Sequence, residues 1–254
     1  MSRKKEFATS SSFSRAMDYE KCPLFFKYRH LDKIPDPAPQ LLDKNGQPME
    51  RPMERGSRIH TLAENYVMNP RITLPEELEK FAKEFNALQQ MYQANMMTPE
   101  VQFAFNRDWK QVGYRDWDNA VYRAIIDILA QINDNRVLIC DIKTGKKEGN
   151  EIKHHEQCME YAVCVALTDP EVHIFDVEVW YIDHGEKLRN QFTRRQVLQG
   201  FQNMKDRHQD VLDARLFPAK PNKFACMFCP YKAGTVGFKK LAYPGTGHCR
   251  SNVC

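Results

Sequence analysis

Residues 136–145 read RVLICDIKTG, and this stretch decides the fold that the sequence predicts. Four apolar residues lead to Asp141, and Thr144 with Gly145 supplies the turn that ends a buried strand. Because side chains alternate along a strand, Asp141 and Lys143 point to the same face at its exit. Two charges at the end of an apolar strand need compensation. Either they form a salt bridge, or they bind a metal ion and an anionic substrate.

The composition is that of a globular protein with one sizeable core. The chain has 254 residues, of which 42% are hydrophobic and 28% are charged. A net charge of +4 argues against a protein that coats nucleic acid with its whole surface, but allows a local basic groove. No apolar segment follows the basic N-terminus, and no stretch approaches the roughly 18 apolar residues of a membrane span. We therefore expect a cytoplasmic protein that does not contact membranes.

Hydrophobic periodicity predicts helices in the first hundred residues, followed by strands and helices in alternation. Helices are predicted from Ser12 with a break at Cys22-Pro23, from Pro52, and over 75–97, 153–167 and 193–216; strands are predicted over 101–105, 122–132, 136–145 and 171–183. This pattern indicates a sheet flanked by helices, of the α/β or α+β class. We predict a single domain, 1–254, with a flexible lead-in (1–11), a mainly helical part (12–100), a catalytic sheet core (101–216) and a cysteine-rich metal-binding tail (217–254).

Several polar residues stand at positions where chemistry is plausible. His60 and Glu64 lie one turn apart on a predicted helix, and Asp127 lies among isoleucines in a predicted strand. A lone carboxylate in such surroundings is costly, so Asp127 needs a partner. Taken singly, His60 is also typical of a hydrogen-bonded helix histidine, and Asp127 of a buried carboxylate that caps a turn. Their order, followed by Asp141 and Lys143, favours a common site.

The residue types fit phosphodiester hydrolysis. That reaction needs hard oxygen ligands for Mg²⁺ or Mn²⁺, a positioned water and positive charge near the phosphorane. Two aspartates on neighbouring strands, Asp127 and Asp141, would bind the metal. His60 would add an imidazole ligand, and the carbonyl of Ile142 would complete the shell.

The remaining candidates would serve the water and the substrate. Lys143 would orient or deprotonate the attacking water, or stabilise the transition state as a cation. Glu64 would bind a second metal or hold a water molecule. Two basic groups would line a phosphate-binding groove, or else be ordinary surface cations: Arg51, Arg55 and Arg58, and Lys146, Lys147 and Lys153.

The order of these motifs resembles the PD-(D/E)XK nuclease superfamily, over about residues 12–229. The similarity is to the branch with RecB-type nuclease domains and CRISPR-associated adaptation nucleases. That family has its metal-binding and catalytic residues where this chain has His60, Asp127, Asp141 and Lys143, and its Gln-x3-Tyr motif matches Gln157 and Tyr161. The chain departs at Ala124, where the family usually has glycine. The resemblance implies a restriction-endonuclease-like α/β fold: a central mixed β-sheet flanked by helices, with an N-terminal helical segment and a cysteine-rich C-terminal extension.

The eight cysteines carry a second resemblance. In a cytoplasmic chain they favour core thiols or a metal site over a disulfide framework. The contexts Cys22-Pro-Leu-Phe-Phe and Cys226-Met-Phe-Cys229 are similar to those that hold an iron–sulfur cluster in this branch. The resemblance implies a [4Fe-4S] cluster on Cys22, Cys226, Cys229 and Cys249, with Cys254 as the alternative fourth ligand. Zn²⁺, or buried thiols without metal, are alternatives. Three further cysteines are predicted to be packing residues: Cys140, Cys158 and Cys164.

The resemblance implies a Mg²⁺- or Mn²⁺-dependent DNA nuclease of a bacterial or phage-infected cell. We expect an exonuclease that acts on DNA ends or single strands in recombination, repair or phage DNA processing, with a recombination or replication protein as a candidate partner. An endonuclease of the same superfamily stays open, as does a member that binds DNA or a partner without cutting. The intact set of site residues favours the enzyme. Polarity, strand preference and oligomeric state do not follow from the sequence.

Overall fold

The computed structural model describes residues 6–36, 42, 45, 47–145, 147–232, 235–236, 242–243 and 249. Two residues with predicted roles, Lys146 and Cys254, lie outside the described residues. The chain divides into two compact units, Glu50–Lys205 and Met1–Met49 with Asp206–Cys254. The single domain with its four parts stays a prediction.

The elements follow in this order. The helices are α1 (Phe13–Lys21), α2 (Pro23–Phe26), α3 (Pro52–Met68), α4 (Ala82–Gln93), α5 (Glu151–Thr168), α6 (Arg194–Asp213) and α7 (Lys223–Met227). The strands are β1 (Met97–Phe105), β2 (Tyr122–Asn133), β3 (Arg136–Lys143), β4 (Ile174–Tyr181), β5 (Glu186–Thr193), β6 (Thr235–Val236) and β7 (Ala242–Tyr243). A π-helical turn (Lys27–Leu31) follows α2, and a 3-10 helix (Glu76–Phe81) precedes α4. In the described part of the chain, no helix has the length and hydrophobicity to cross a membrane.

A five-stranded mixed sheet organises the unit Glu50–Lys205. Its strands lie in the order β1-β2-β3-β4-β5. The pair β3–β4 is parallel and the other pairs are antiparallel. The parallel pair is joined through α5, as a crossover requires. The predicted α/β fold with a central mixed sheet is confirmed.

Helices cover both faces of this sheet. Val137 and Ile139 of β3 pack with α5 and α6, whereas Cys140 and Ile142 pack with α3 and α4. The alternation predicted for β3 therefore holds, and it puts Asp141 on the α5 side of the strand.

The strands β1 and β2 exchange faces in the middle of the sheet. Ile126 packs in the α5 cluster, whereas Ile128, two residues later, packs in the α3 cluster. Strict alternation would keep both on one face. The exchange coincides with Glu100 on β1, which has a positive φ of 50° and lies between the residues that pair with Ile126 and Ile128. Asp127 thus lies where the strand is reoriented.

Two sequence predictions for this unit are wrong. A single helix over 75–97 is replaced by the 3-10 helix, α4 and the start of β1. Residues three apart align in a 3-10 helix, and Leu78 and Phe81 are both fully buried there. The strand β5 was not predicted, because it is a polar edge strand in which only Phe192 is buried.

The second unit contains α1, α2 and α7. Ser12 caps α1, as predicted, by accepting a hydrogen bond from the amide of Arg15. Cys22 has extended backbone dihedrals and separates α1 from Pro23, the first residue of α2. The predicted break is therefore present, and it turns the chain at the first cysteine of the predicted cluster.

Candidate active site

Asp127 and Asp141 lie side by side where β2 and β3 separate. The last residues that pair are Ile128 and Cys140. Beyond them the amide of Ile142 donates its hydrogen bond to Oδ2 of Asp127, at 2.6 Å. The two carboxylates are buried, with 8% and 1% of the residues exposed. Burial raises the pKa of Asp127, while its hydrogen bond with His60 opposes the rise.

His60 reaches this strand end from α3. Its Nε2 lies 3.0 Å from the carbonyl oxygen of Ile142, and its Nδ1 lies 3.2 Å from Oδ1 of Asp127. Gly56, one turn earlier, faces the turn after β3: a Cβ there would be in ordinary contact, 3.8 Å from Oγ1 of Thr144. Gly56 and His60 therefore lie on the face of α3 that is turned to the end of β3.

The imidazole of His60 is charged in the metal-free protein. Burial disfavours the charge, but hydrogen bonds with Asp127 and Glu100 outweigh it and raise the pKa of His60 to about 10. A cation is therefore already stabilised between Asp127 and the carbonyl of Ile142.

Lys143 and Asp141 form an ion pair at the end of β3. Nζ lies 2.7 Å from Oδ2 of Asp141, so the salt-bridged strand end is present. Apart from this ion pair, the buried Oδ2 has no hydrogen-bond partner within the described ranges. Burial would lower the pKa of Lys143, but Asp141 and Asp127 more than offset it, and the pKa is raised. Lys143 is therefore a cation.

The Gln-x3-Tyr pair on α5 holds the other oxygen of Asp141. Nε2 of Gln157 donates to the hydroxyl of Tyr161 at 2.7 Å, and that hydroxyl is 3.5 Å from Oδ1 of Asp141. Burial and the neighbouring Asp141 raise the pKa of Tyr161 well above its usual range, so the phenol stays protonated and donates. Gln157 and Tyr161 therefore act on the orientation of Asp141.

A small cavity beside α3 brings in a carboxylate that the sequence reasoning missed. Its polar lining consists of His60, Glu64, Glu100 and Asp127. Ligand atoms of three of them, His60, Glu100 and Asp127, lie within 4.8 Å of one another. The signal for Glu100 was weak: a charged residue just before the alternating run of a strand that could pair with the strand of Asp127. Glu64 lines the cavity but is not one of these three.

His154 is a second residue near the site that was not predicted. Its Nδ1 is 2.7 Å from the hydroxyl of Tyr181, and the residue is buried. Burial, reinforced by the charge of Lys143, lowers the pKa of His154 to about 4. The ring is neutral, so it adds no positive charge near Lys143. Nothing in the sequence distinguished it from the adjacent His155.

Two arginines predicted for a phosphate groove are engaged in ion pairs. Arg55 holds Asp183 through two hydrogen bonds of 2.8 and 2.6 Å. Arg58 binds Glu50 and Glu77. A guanidinium held by carboxylates has less capacity for phosphate, so the groove prediction loses support at these two positions.

The strand-end residues fit a divalent cation. Two carboxylates, a carbonyl oxygen and an imidazole are the donors that Mg²⁺ and Mn²⁺ accept. The buried Oδ2 of Asp141 is paired with Lys143 and has no second partner among the described residues, so it has lone pairs left for a cation. Glu100 adds a further oxygen close to His60 and Asp127.

Comparison with known proteins assigns the family. The family model described as the PD-(D/E)XK nuclease superfamily matches residues 10–233. The chain belongs to this superfamily. No curated protein matches it. Among solved structures, a candidate exonuclease from Eubacterium rectale is 11% identical, with 84% of each chain covered and a TM-score of 0.46. The protein SSO0001 is also 11% identical, with 87% of this chain and 83% of that chain covered and a TM-score of 0.37.

This PD-(D/E)XK protein has a second cluster of candidate ligands, in the unit of the chain ends. One cavity is lined by all four predicted cluster ligands: Cys22, Cys226, Cys229 and Cys249. Backbone amides point at two of the sulfur atoms, from Lys220 to Cys22 at 3.4 Å and from Asn222 to Cys226 at 3.5 Å. Such N–H contacts are typical of thiolates that bind metal.

The oxidation state of these cysteines differs within the pocket. Cys22, Cys229 and Cys249 are free thiols, and Cys226 is disulfide-bonded. Burial raises the pKa of Cys229, with Cys249 and Cys22 adding to the rise because their sulfur atoms are near. The amide of Cys249 donates to the carbonyl of Tyr231 at 2.7 Å, which fixes this late cysteine beside the Cys226–Cys229 segment.

Proposed function

We propose that this PD-(D/E)XK protein is a Mg²⁺- or Mn²⁺-dependent deoxyribonuclease that hydrolyses phosphodiester bonds, acting as an exonuclease on DNA ends or single strands. The observation that carries the proposal is the strand-end arrangement. Asp127, Asp141 and the carbonyl of Ile142 meet His60, and the buried Oδ2 of Asp141 there has no polar partner within the described ranges besides its ion pair with Lys143.

In this proposal Asp127, Asp141, His60 and the Ile142 carbonyl hold the cation. A bound Mg²⁺ or Mn²⁺ supplies positive charge for the phosphoryl oxygen and lowers the pKa of its water. His60 must give up a proton to become a ligand, because only a neutral imidazole nitrogen coordinates. Glu100, which the sequence did not suggest, would adjoin this shell.

Lys143 would act as a cation at the end of β3. Its raised pKa favours charge stabilisation and orientation of the attacking water over proton abstraction. Tyr161, held by Gln157, would fix Oδ1 of Asp141 and thereby the direction of Oδ2. Glu64 would hold a water molecule or a second cation in the cavity that it shares with Glu100.

We further propose that the four-cysteine pocket holds a [4Fe-4S] cluster, once a dithiol reductant of the cell has reduced the disulfide of Cys226 and freed its thiolate. Tetrahedral Zn²⁺ with Zn–S bonds of about 2.3 Å would bring the sulfur atoms to about 3.8 Å from one another. The thiols of Cys22, Cys229 and Cys249 do not form a group within 4.8 Å. The choice of the [4Fe-4S] cluster rests on the resemblance of the cysteine motifs, and metal analysis of the purified protein distinguishes it from Zn²⁺.

The biological setting of the proposal rests on the resemblance to RecB-type and CRISPR-adaptation nucleases. A role in recombination, repair or phage DNA processing in the cytoplasm would fit such a nuclease, as would a recombination or replication protein as partner. The cleavage assay is the first test, since each of these roles requires hydrolysis of DNA.

The test is cleavage of end-labelled linear DNA and closed circular DNA by the purified protein with Mg²⁺, Mn²⁺ or a chelator. We expect metal-dependent loss of the linear substrate alone, and no loss with Asp141→Asn. Cutting of the circle would replace the exonuclease by an endonuclease. Binding of DNA without cleavage by the intact, metal-loaded protein would refute the nuclease and favour a binding protein.

A further inference from the structure

Trp117 is an exposed tryptophan in an otherwise ordered connection. It lies in residues 106–121, between β1 and β2, with 71% of its surface exposed. The other two tryptophans are packed: Trp180 is 2% exposed, and Trp109 contacts the rings of Phe105, Tyr122 and Phe201. Leaving a large aromatic ring in water forfeits burial energy, so its position calls for another reason.

Arg123 holds this ring in place. Its guanidinium lies over the indole, 4.4 Å from the ring centroid. The same guanidinium donates to the carbonyls of Tyr114 at 2.9 Å and Asp116 at 3.0 Å. One face of the indole is therefore covered by a fixed cation, and most of the remaining ring surface faces solvent.

The connection leaves the sheet at the end where the candidate site lies. β3 ends at Lys143 and β2, which is antiparallel to it, begins at Tyr122. Residues 106–121 therefore emerge at the same end of the sheet as Asp141 and Lys143.

Arg123 and the site cavity also share a face of the sheet. Tyr122 and Ala124 pack on the α5 side, so Arg123 points to the α3 side, where the cavity of His60 opens. Asp127 is four positions beyond Arg123 on the strand, which is about 13 Å at 3.3 Å per residue. That span is at most about four nucleotides at the 3.4 Å spacing of duplex DNA, and fewer in an extended single strand.

The charge of the connection excludes a simple phosphate-binding loop. It contains three basic residues, Arg107, Lys110 and Arg115, and three acidic residues, Asp108, Asp116 and Asp118. The net formal charge is zero, so attraction to the backbone of a nucleic acid is not what this loop offers. An aromatic face, in contrast, stacks on any base.

We propose that Trp117 is a stacking platform for an unpaired base of the DNA strand, a few nucleotides from the phosphate at the Asp127–Asp141 site. This inference rests on the proposed nuclease function and assigns its substrate: a DNA strand that is single-stranded over the few nucleotides between the platform and the site. Arg123 is the positioning residue that keeps the indole ready for the base. Trp117 contributes through stacking, independently of the phosphate contacts.

The test uses the Asp141→Asn protein, so that DNA is bound without being cut, and a labelled 20-nucleotide thymidine oligomer. Anisotropy gives the dissociation constant for this parent and for three variants that also carry Trp117→Ala, Trp117→Phe or Ile132→Ala. Ile132 is the matched control, an exposed apolar residue near the opposite end of β2, 41% exposed. Melting curves establish that each variant is folded, and the Trp117→Phe variant retains a stacking ring.

We expect Trp117→Ala to weaken binding between 5- and 100-fold, with most of the affinity kept in Trp117→Phe and in Ile132→Ala. The ratio of the dissociation constants of Trp117→Ala and the parent should stay the same at 50 and 200 mM salt, because stacking releases no counterions. Tryptophan emission of the parent should be quenched by the oligomer, and the quenching should be lost in Trp117→Phe.

Three results would overturn the inference: Trp117→Ala within twofold of the parent, an equal loss in Ile132→Ala, or a ratio that vanishes with salt. The wild-type cleavage assay separates the two proposals. If the wild type cleaves DNA but Trp117→Ala binds the oligomer like the parent, only the stacking proposal is refuted. If Trp117→Ala weakens binding but the wild type does not cleave DNA, the nuclease proposal is refuted and Trp117 remains a DNA-binding residue.

Discussion

The strand-end site and the cysteine pocket differ in how far apart in the sequence their residues lie. The hydrogen bond that joins Asp127 to Ile142 spans 15 residues of one hairpin, whereas the contact of Lys220 with Cys22 spans 198. The first site is fixed by the hydrogen-bonded strands of one sheet. The second gathers short segments from both ends of the chain. A site built on a sheet is preorganised by the fold, while a pocket of distant cysteines depends on what the cysteines bind.

This difference predicts that substitutions at the two sites will affect different properties of the protein. Substitutions at the strand end should change catalysis and spare the fold. Substitutions in the pocket should change stability and cofactor content more than chemistry. The following experiments could break that separation, beginning with the largest expected effect on cleavage.

The first is Asp141→Asn, an isosteric change that removes the negative charge of a proposed metal ligand. We expect cleavage to fall by roughly 10³-fold or more, because the cation loses a ligand. The melting temperature and the visible absorbance of the protein should stay at wild-type values. Wild-type cleavage by the variant would show that the strand end is not the site.

The second is Lys143→Gln, which keeps the side chain's length but removes its positive charge. We expect a loss of about 10²- to 10³-fold in turnover, the usual cost of one group that stabilises transition-state charge. Lys83→Gln, on the exposed surface of α4, is the control and should stay within threefold. Equal losses in both variants would point to general weakening of DNA binding instead.

The third is the pH dependence of Mn²⁺ affinity. With the pKa of His60 raised to about 10, metal and proton compete for the ring. Affinity should rise by up to tenfold per pH unit between pH 7 and 9. The same shift stabilises the metal-free fold fully below pH 6.5 and is lost as the pH rises through 10. Calorimetric titration should show a flatter pH profile for His60→Asn; an equally steep one would exclude His60 as the competing group.

The fourth is Cys226→Ser, with the smallest expected effect on the turnover of folded protein, less than about tenfold. Purified without oxygen, the variant should lose the visible absorbance and iron of the wild type. Its melting temperature should fall by roughly 5 °C or more, because a cofactor that binds only the folded state is lost. Cys164→Ala, a buried packing cysteine, is the control for the absorbance. A wild type without iron would exclude the cluster.

The sequence predicted the parts of the fold whose patterns are local. β3 was found because an apolar run and a turn lie within ten residues, and its alternation gave the shared face of Asp141 and Lys143. The ordering of motifs then predicted the partners on β2, α3 and α5. These patterns can be recognised in the sequence without knowing which strands pair.

The missed features depend on distant neighbours. Glu100 lies beside Asp127 and has a positive φ. Neither feature can be predicted from a charged residue in a strand pattern. His154 acquired its low pKa from burial near Lys143. β5 was missed because an edge strand with one buried residue has no hydrophobic period to detect.

The residue between Asp141 and Lys143 illustrates how a site can constrain a position without using its side chain. The amide of Ile142 is taken by Asp127 and its carbonyl faces His60, while the side chain packs against α3 and is 2% exposed. Any apolar residue of similar volume would supply the same peptide group, whereas proline lacks the N–H. In a mutational scan, position 142 should therefore accept other apolar residues of similar volume and reject proline.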